Sequence, residues 1–261
     1  MGSHTGEPWL LEERSHARTL LGRAPAPPIL ESLQDLPALP AETFREVGFQ
    51  SNRRVTTELF YRGESPPHEF SVPLLEGRNV SEFEEREAKL FLYPDEQVLR
   101  QTNCRLKSKD VYAAVDIVVR QTAAYPIAAR HGGARFRNSL LGAFATEEIS
   151  TDLLIGLLNS ALYRALHVSR QRDARQAVFP QVKVGHLRKL PQPPAEQGSL
   201  HAKIAFLSSS ATDAGGLSSE ARLELDGAVF ELFGIGGNDR EAIRAFLEER
   251  APAALRASRI T

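Results

Sequence analysis

Residues 150–168 carry the clearest helical period in the chain, and no other stretch constrains the fold as much. Leu154, Leu157, Leu158, Ala161, Leu162 and Ala165 recur at three- and four-residue spacings, so a helix here has one continuously apolar face. Such a face must be covered by other elements. Ser150 supplies a capping oxygen for the first free amides and Asp152 suits the positive end of the helix dipole, which sets the expected start. Further helices are predicted around Ala202, over residues 220–233 with Gly234 as the stop, and up to Glu249. Asn238 followed by Glu241 resembles a capping box for the last of these. Residues 208–219, rich in Ser and Gly, read as a loop, and residues 9–21 as a short amphipathic helix. Residues 1–4 read as a tag remnant, and the proline-rich residues 24–40 as a stiff connector.

The middle of the chain is strand-like. Residues 55–61, 70–75, 89–93, 115–121, 125–129 and 139–144 mix β-branched, aromatic and aliphatic side chains in short runs, with Gly132 and Gly133 as a tight turn between the last two. Residues 179–194 read as a ribbon between proline stops in which Val182, Val184 and Leu187 alternate with Lys183, His186, Arg188 and Lys189. The ribbon can anchor in a core and present cations to a polyanion, or it can be a lysine-protected sheet edge. The fold class expected is mixed α/β (α+β): a largely β core over residues 41–194, preceded by residues 1–40 and followed by a helical segment over 195–261.

The overall charge conceals an asymmetry. The chain has 32 Lys and Arg against 33 Asp and Glu, yet residues 100–190 hold fifteen of the cations and only six of the acids. That segment is near +9 and the remainder near −10, which favours a polyanionic partner such as nucleic acid unless the two parts attract each other across the fold. No apolar run approaches the roughly 20 residues of a membrane span, so a soluble, cytoplasmic protein is expected. The single cysteine, Cys104, excludes an internal disulfide and a typical structural zinc site.

Catalytic motifs are scarce. A phosphate-binding loop with its lysine, a Gly-x-Ser-x-Gly elbow and a His-Glu-x-x-His pair are all missing from the sequence, and the glycines of Gly234, Gly236 and Gly237 do not follow a strand. Glu87 and Lys89 could form the tail of a Mg²⁺-dependent nuclease site, but no aspartate lies between Asp35 and Asp95 to complete it. No catalytic residue, metal ligand or cofactor site is therefore assigned.

Several segments in order carry a family likeness. Trp9 and Leu10 match a tryptophan-led helix; Gly48, Phe49, Gln50, Ser51, Asn52 and Arg53 match a Gly-x-Gln-Thr-Gly-x-Asn type turn; and Pro73 to Val80 follow a Pro-Leu-Leu-x-Gly-Arg-Asp-Ile pattern. Leu92, Tyr93 and Pro94 come next, then the arginine-bearing run of Val118, Val119, Arg120, Gln121 and Thr122 with Pro126 and Ile127 after it. Leu157, Leu158, Asn159 and Ser160 give a Leu-Leu-Asn-Ser helix, and the ribbon a Phe-x-Gln-Val-Lys-x-x-x-Leu-x-x-Leu-Pro element. A closing helix runs from Leu225 to Gly234. With these the chain resembles the TaqI-like C-terminal specificity domain, the target recognition half of adenine-specific DNA methyltransferases and type IIG restriction-modification enzymes. Ser51 and Arg53 depart from the family turn, and the Asn-Pro-Pro-Tyr box and glycine-rich S-adenosylmethionine loop of the catalytic half are missing from the sequence.

The resemblance implies a reader of duplex DNA that lacks the methyl-transferring half, whose partners are double-stranded DNA and a methyltransferase catalytic domain or subunit. S-adenosylmethionine would bind that other half. Two-pronged side chains suit base edges, so Gln50, Asn52, Arg53, Arg120 and Gln121 are the base-reading candidates. Arg170, Arg172, Arg175, Lys183, His186, Arg188 and Lys189 are the phosphate candidates. The alternatives are a protein-docking subunit of a phage-defence assembly with the same fold and an autonomous Mg²⁺-dependent nuclease.

Overall fold

The structure, a computed structural model, describes residues 25–51, 59–170 and 180–256. Its strands are β1 (Phe44–Arg45), β2 (Phe60–Arg62), β3 (Val72–Leu75), β4 (Val80–Ser81), β5 (Glu84–Glu85), β6 (Leu90–Leu92), β7 (Ile117–Arg120), β8 (Ala128–Arg130), β9 (Arg135–Phe136) and β10 (Leu140–Ala143). The helices are α1 (Pro28–Ser32), α2 (Glu96–Gln101), α3 (Lys109–Ala113), α4 (Thr151–Asn159), α5 (Ala161–Arg170), α6 (Val184–Leu187), α7 (Gly198–Ala214), α8 (Ser219–Leu232) and α9 (Gly237–Arg250). The mixed α/β class expected from the sequence is what is found.

The strands form two four-stranded sheets and a hairpin of β4 with β5. One sheet has the order β1-β10-β7-β8 and is antiparallel throughout; the other runs β2-β6-β3-β9, with β9 parallel to β3. The first sheet is buried on both faces. Ile117, Val119, Leu141 and Ala143 pack with the helices, whereas the alternate residues Val118 and Leu140 pack with Val47, Leu75, Tyr112 and Phe136. A third apolar cluster, with Phe49, Leu74, Leu90 and Leu92, lies at the second sheet. Gly132 and Gly133 do not join neighbouring strands, because β9 intervenes in the chain and β7 lies between β8 and β10 in the sheet.

The apolar face read over 150–168 is buried, but on two helices rather than one. Ser150 caps the first, accepting the Leu153 amide at 3.3 Å, and Ser160 breaks the run with an extended backbone, φ −75° and ψ 155°. The amides freed by the break find new acceptors: Asp226 takes that of Ala161 at 2.8 Å and the Ser160 hydroxyl that of Tyr163 at 3.3 Å. The break sets Asn159 against β8, where its side-chain amide makes a two-way pair with the Ala128 backbone at 3.0 and 2.9 Å. Helix α7 packs so closely on α4 that a methyl group at Gly156 would lie 2.3 Å from Ser208 Oγ and 2.7 Å from Ile204 Cγ2.

Other expectations change. Residues 208–214 continue α7 instead of forming a loop, since Ser208 returns its hydroxyl to the Ile204 carbonyl at 2.8 Å and the helix closes on Gly215 at φ 70°. Helix α8 ends as expected, with Gly234 at φ 66°. The Asn238–Glu241 capping box does not form; α9 begins at Gly237 with Gly236 before it and no side-chain cap. The proline-rich connector is part of the core, with Leu30, Leu33 and Leu39 buried. The residue 9–21 helix and most of the residue 55–61 strand lie outside the described residues.

The ribbon is also corrected. Residues 180–190 form an isolated bridge between Gln181 and Thr122 and then the single helical turn α6, because Val182, Leu187 and Leu190 are drawn into the helical core as anchors. Tyr163 donates its hydroxyl to the Pro191 carbonyl at 2.5 Å and fixes the far end.

A buried ionic cluster ties the sheet side to the helices. Glu82 bridges Arg164, at 2.7 Å, and Arg222. Arg164 also donates to the Ala254 carbonyl and lies over the Tyr125 ring, and Arg222 donates to the Asn159 carbonyl at 2.6 Å. Both guanidinium groups are almost wholly buried, so each relies on these acceptors. No helix among the described residues is long and apolar enough to cross a membrane.

Candidate nucleic-acid interface

Antiparallel pairing brings the C-terminal ends of β1 and β7 and the N-terminal end of β10 to one end of the first sheet. The chain leaving β1 crosses the segment between β9 and β10: Phe49 donates to the Phe136 carbonyl at 2.7 Å and accepts from the Asn138 amide at 3.0 Å. Gln121, just past β7, is held on both sides, donating to the Ser139 carbonyl at 2.9 Å and accepting from the Val182 amide at 2.7 Å. A depression is thereby lined by Glu46, Gly48, Gln50, Gln121, Asn138, Leu140 and Leu141. Three residues with side-chain amides, far apart in sequence, line it. Gln50 and Asn138 are exposed, and Gln121 is half-buried.

Gly48 makes the crossing possible. A β-carbon there would lie 2.5 Å from the carbonyl carbon and oxygen of Arg137 and 2.6 Å from the Asn138 amide nitrogen, backbone atoms that cannot rotate away. Gly48→Ala should therefore destabilise the protein by about 1–3 kcal/mol, the usual range for overpacking, as read by urea unfolding.

Beside the depression stands an arginine group around one carboxylate. Glu76 receives Arg62 Nη1 at 2.7 Å, Arg137 Nη1 at 3.3 Å and Arg78 Nε at 3.4 Å. Arg137 is braced further by Ser51 Oγ at 3.2 Å and by the Phe60 ring beneath it at 4.9 Å. Arg120, at the end of β7, runs past Gly77. Burial would push the Glu76 carboxyl up, but the Arg62 hydrogen bond and the charges of Arg62, Arg78 and Arg137 outweigh it and hold the group below the usual carboxylate range. Glu76 thus stays ionised at neutral pH.

The phosphate candidates divide. Arg170, His186 and Lys189 line a cleft of about 520 Å³ with Gln34, Ala38, His167 and Ser169, and none of these lining residues is acidic. Arg170 donates to the Lys189 carbonyl across its wall. Lys183 is exposed. Arg188 has a structural task, donating to the Phe44 carbonyl at 2.9 Å. Arg172, Arg175, Asn52 and Arg53 lie outside the described residues. Several other cations of the basic segment are engaged internally, among them Arg130 with Asp152 and Arg164 with Glu82. Lys89 pairs with Glu64 at 3.0 Å, and among the described residues no group of three or more His, Cys, Asp or Glu could hold a metal ion.

Sequence reading missed Asn138, Arg137, Arg62 and Glu76. Arg78 stood in the quoted Pro-Leu-Leu-x-Gly-Arg pattern without a role. The one sequence signal available was the polar run of Arg135, Arg137 and Asn138 after the paired glycines.

Residues 72–192 match the TaqI-like C-terminal specificity domain, a stretch that holds Glu76, Arg78, Arg120, Gln121, Arg137 and Asn138. Over that stretch the chain is thus similar to the specificity domain its resemblance implied. Two solved structures of restriction-modification systems are also similar. One concerns complex assembly and conformational transition of the type I R-M system, at 15% identity and a TM-score of 0.32, covering 91% of this chain and 56% of that one. The other is the HsdS subunit from Thermoanaerobacter tengcongensis, at 13% identity and a TM-score of 0.26, covering 86% of this chain and 55% of that one. The chain spans little more than half the length of either. No curated protein matches.

Proposed function

We propose that this chain is a sequence-reading domain for duplex DNA that works with an adenine-specific methyltransferase domain or subunit, which would bind S-adenosylmethionine and carry out the methyl transfer. The observation that carries this is that Gln50, Gln121 and Asn138 line one depression beside an arginine group at one end of the sheet, with Gln121, Asn138, Glu76, Arg78 and Arg137 of this set inside the segment matched to a specificity domain. Side-chain amides offer a donor and an acceptor together, the pairing that adenine presents in the major groove, and arginine forks suit guanine. Such groups discriminate only when their backbone is fixed. Gln121 and Asn138 are held by the backbone bonds described above.

Affinity would come from phosphates, for which Arg170, His186 and Lys189 line one cleft with no acid among its described lining residues, and Lys183 is an exposed cation. We place the reading unit within residues 41–194 and assign residues 195–261 to its support. A duplex-binding titration across a salt series tests the reading. A reader shows log affinity falling linearly with log salt, with a slope of roughly 0.9 per phosphate neutralised. Lys189→Ala should reduce that slope by about one and weaken all sequences equally. Gln121→Ala should leave the slope unchanged and lower discrimination by about 1–3 kcal/mol at one base pair. Negligible duplex binding at physiological salt would instead favour a protein-docking subunit.

A further inference from the structure

We propose that Glu76 is a positioning residue that fixes Arg62 and Arg78 as forks for guanine edges and so exchanges some affinity for sequence discrimination. This rests on the DNA-reading function above. A carboxylate on a face meant for a polyanion is electrostatically unfavourable, since it repels phosphates and cancels one of the cations around it. Glu76 is nevertheless surrounded by three arginines and is only 8% exposed, while Arg62 and Arg78 keep side-chain exposures of 44% and 67%. The acid lies beneath and the guanidinium groups lie above it.

The atoms used leave the reading edges free. Arg62 engages Glu76 through Nη1 and Arg78 through Nε, so Arg78 keeps its paired Nη atoms and Arg62 its Nε and Nη2. Arg137 differs, with Nη1 on Glu76, Nη2 on Ser51 and its plane on Phe60; it is a strut. Glu76 is itself fixed, because its amide donates to Asn79 Oδ1 at 2.8 Å and Asn79 Nδ2 donates to the Glu87 carbonyl at 2.7 Å. Ion pairing with one buried carboxylate thereby biases two exposed, rotamer-rich side chains towards one geometry before DNA arrives, which lowers the ordering cost of a bidentate contact.

Selection of bound duplexes from a randomised library, run on the wild-type chain, Glu76→Gln, Glu76→Asp and Arg78→Ala, tests this. The wild type is expected to enrich a motif containing guanine. Glu76→Gln should bind bulk duplex at least as well at low salt, yet lose about tenfold in guanine preference, with partial recovery in Glu76→Asp. Arg78→Ala, a change at an exposed side chain, should lose preference at a single guanine with its thermal melting unchanged. If the wild type enriches a guanine motif and Glu76→Gln enriches it equally, the positioning role is wrong. Loss of guanine preference in Glu76→Gln with the preference of Arg78→Ala intact would overturn it too, since the effect would not run through the Arg78 fork. A wild type that enriches no motif at all removes the DNA-reading function along with it.

Discussion

Glu82→Ala is expected to cost about 3–5 kcal/mol of stability, a large part of the roughly 5–15 kcal/mol available to a domain of ordinary stability. The reason is the asymmetry of buried ion pairs. Glu82 is the shared acid of two guanidinium groups, Arg164 and Arg222, and neither has a route to water. Removing the acid leaves Arg164 on two carbonyl-type acceptors, Ala254 and Asn159, and Arg222 on the Asn159 carbonyl, with the buried Asp226 as the one negative neighbour that both share among the described residues. Glu82→Gln keeps the shape and an acceptor but not the charge, and should fall between wild type and alanine. Urea unfolding monitored by circular dichroism reads the difference directly. A loss below about 1 kcal/mol for the alanine variant would mean that solvent reaches the cluster and that it behaves as a surface pair.

Acidification should destabilise the protein well before its carboxylates titrate, through His167. Burial holds this imidazole down to about 3, helped by the neighbouring charges of His186 and Arg170, against 6.5 in an unfolded chain. Between those values the unfolded chain binds a proton that the folded chain refuses, so stability is complete above pH 6.5 and is lost as pH falls towards 3. One group shifted in this way contributes a slope approaching 1.4 kcal/mol per pH unit, and about 3–5 kcal/mol across the window. Glu76, held low by its arginines, acts in the same direction but only below the ordinary carboxylate value of 4.5. Comparing wild type with His167→Gln between pH 6.5 and 4.5 isolates the histidine. Parallel stability curves would show that His167 protonates in place.

How much of this was legible beforehand depended on whether a residue's partner was close in sequence. The apolar face of α4 and α5, the Ser150 cap and the Gly234 stop are local features, and their side chains announce them. The break at Ser160 was not legible, because its acceptor is Asp226, 65 residues away. The ribbon was misread because Val182, Val184 and Leu187 satisfy a two-residue alternation at the start and a helical turn at the end, and so short a run cannot distinguish them. At the interface, Gln50 and Gln121 could be named from their chemistry. Glu76 and Arg137, 61 residues apart, are meaningful only as a pair, which the folded sheet creates. Arg188 could be named from its charge, but its bond to the Phe44 carbonyl, 144 residues away, is visible only in the fold.

The pairing of Asn159 with Ala128 bears on how the protein avoids associating with itself. β8 is an edge strand, and its inward hydrogen bonds run to β7, leaving the Ala128 amide and carbonyl on the outer side. An uncovered row of that kind is a template for a strand from another molecule. The Asn159 carboxamide has the same donor and acceptor pair as a peptide group, and it engages both positions at Ala128, sharing the carbonyl with the Phe83 amide at 2.9 Å. Asn159 thus stands in for a neighbouring strand at this point of the edge and, with the hairpin of β4 and β5 beside it, closes the flank of the sheet to strands from other molecules.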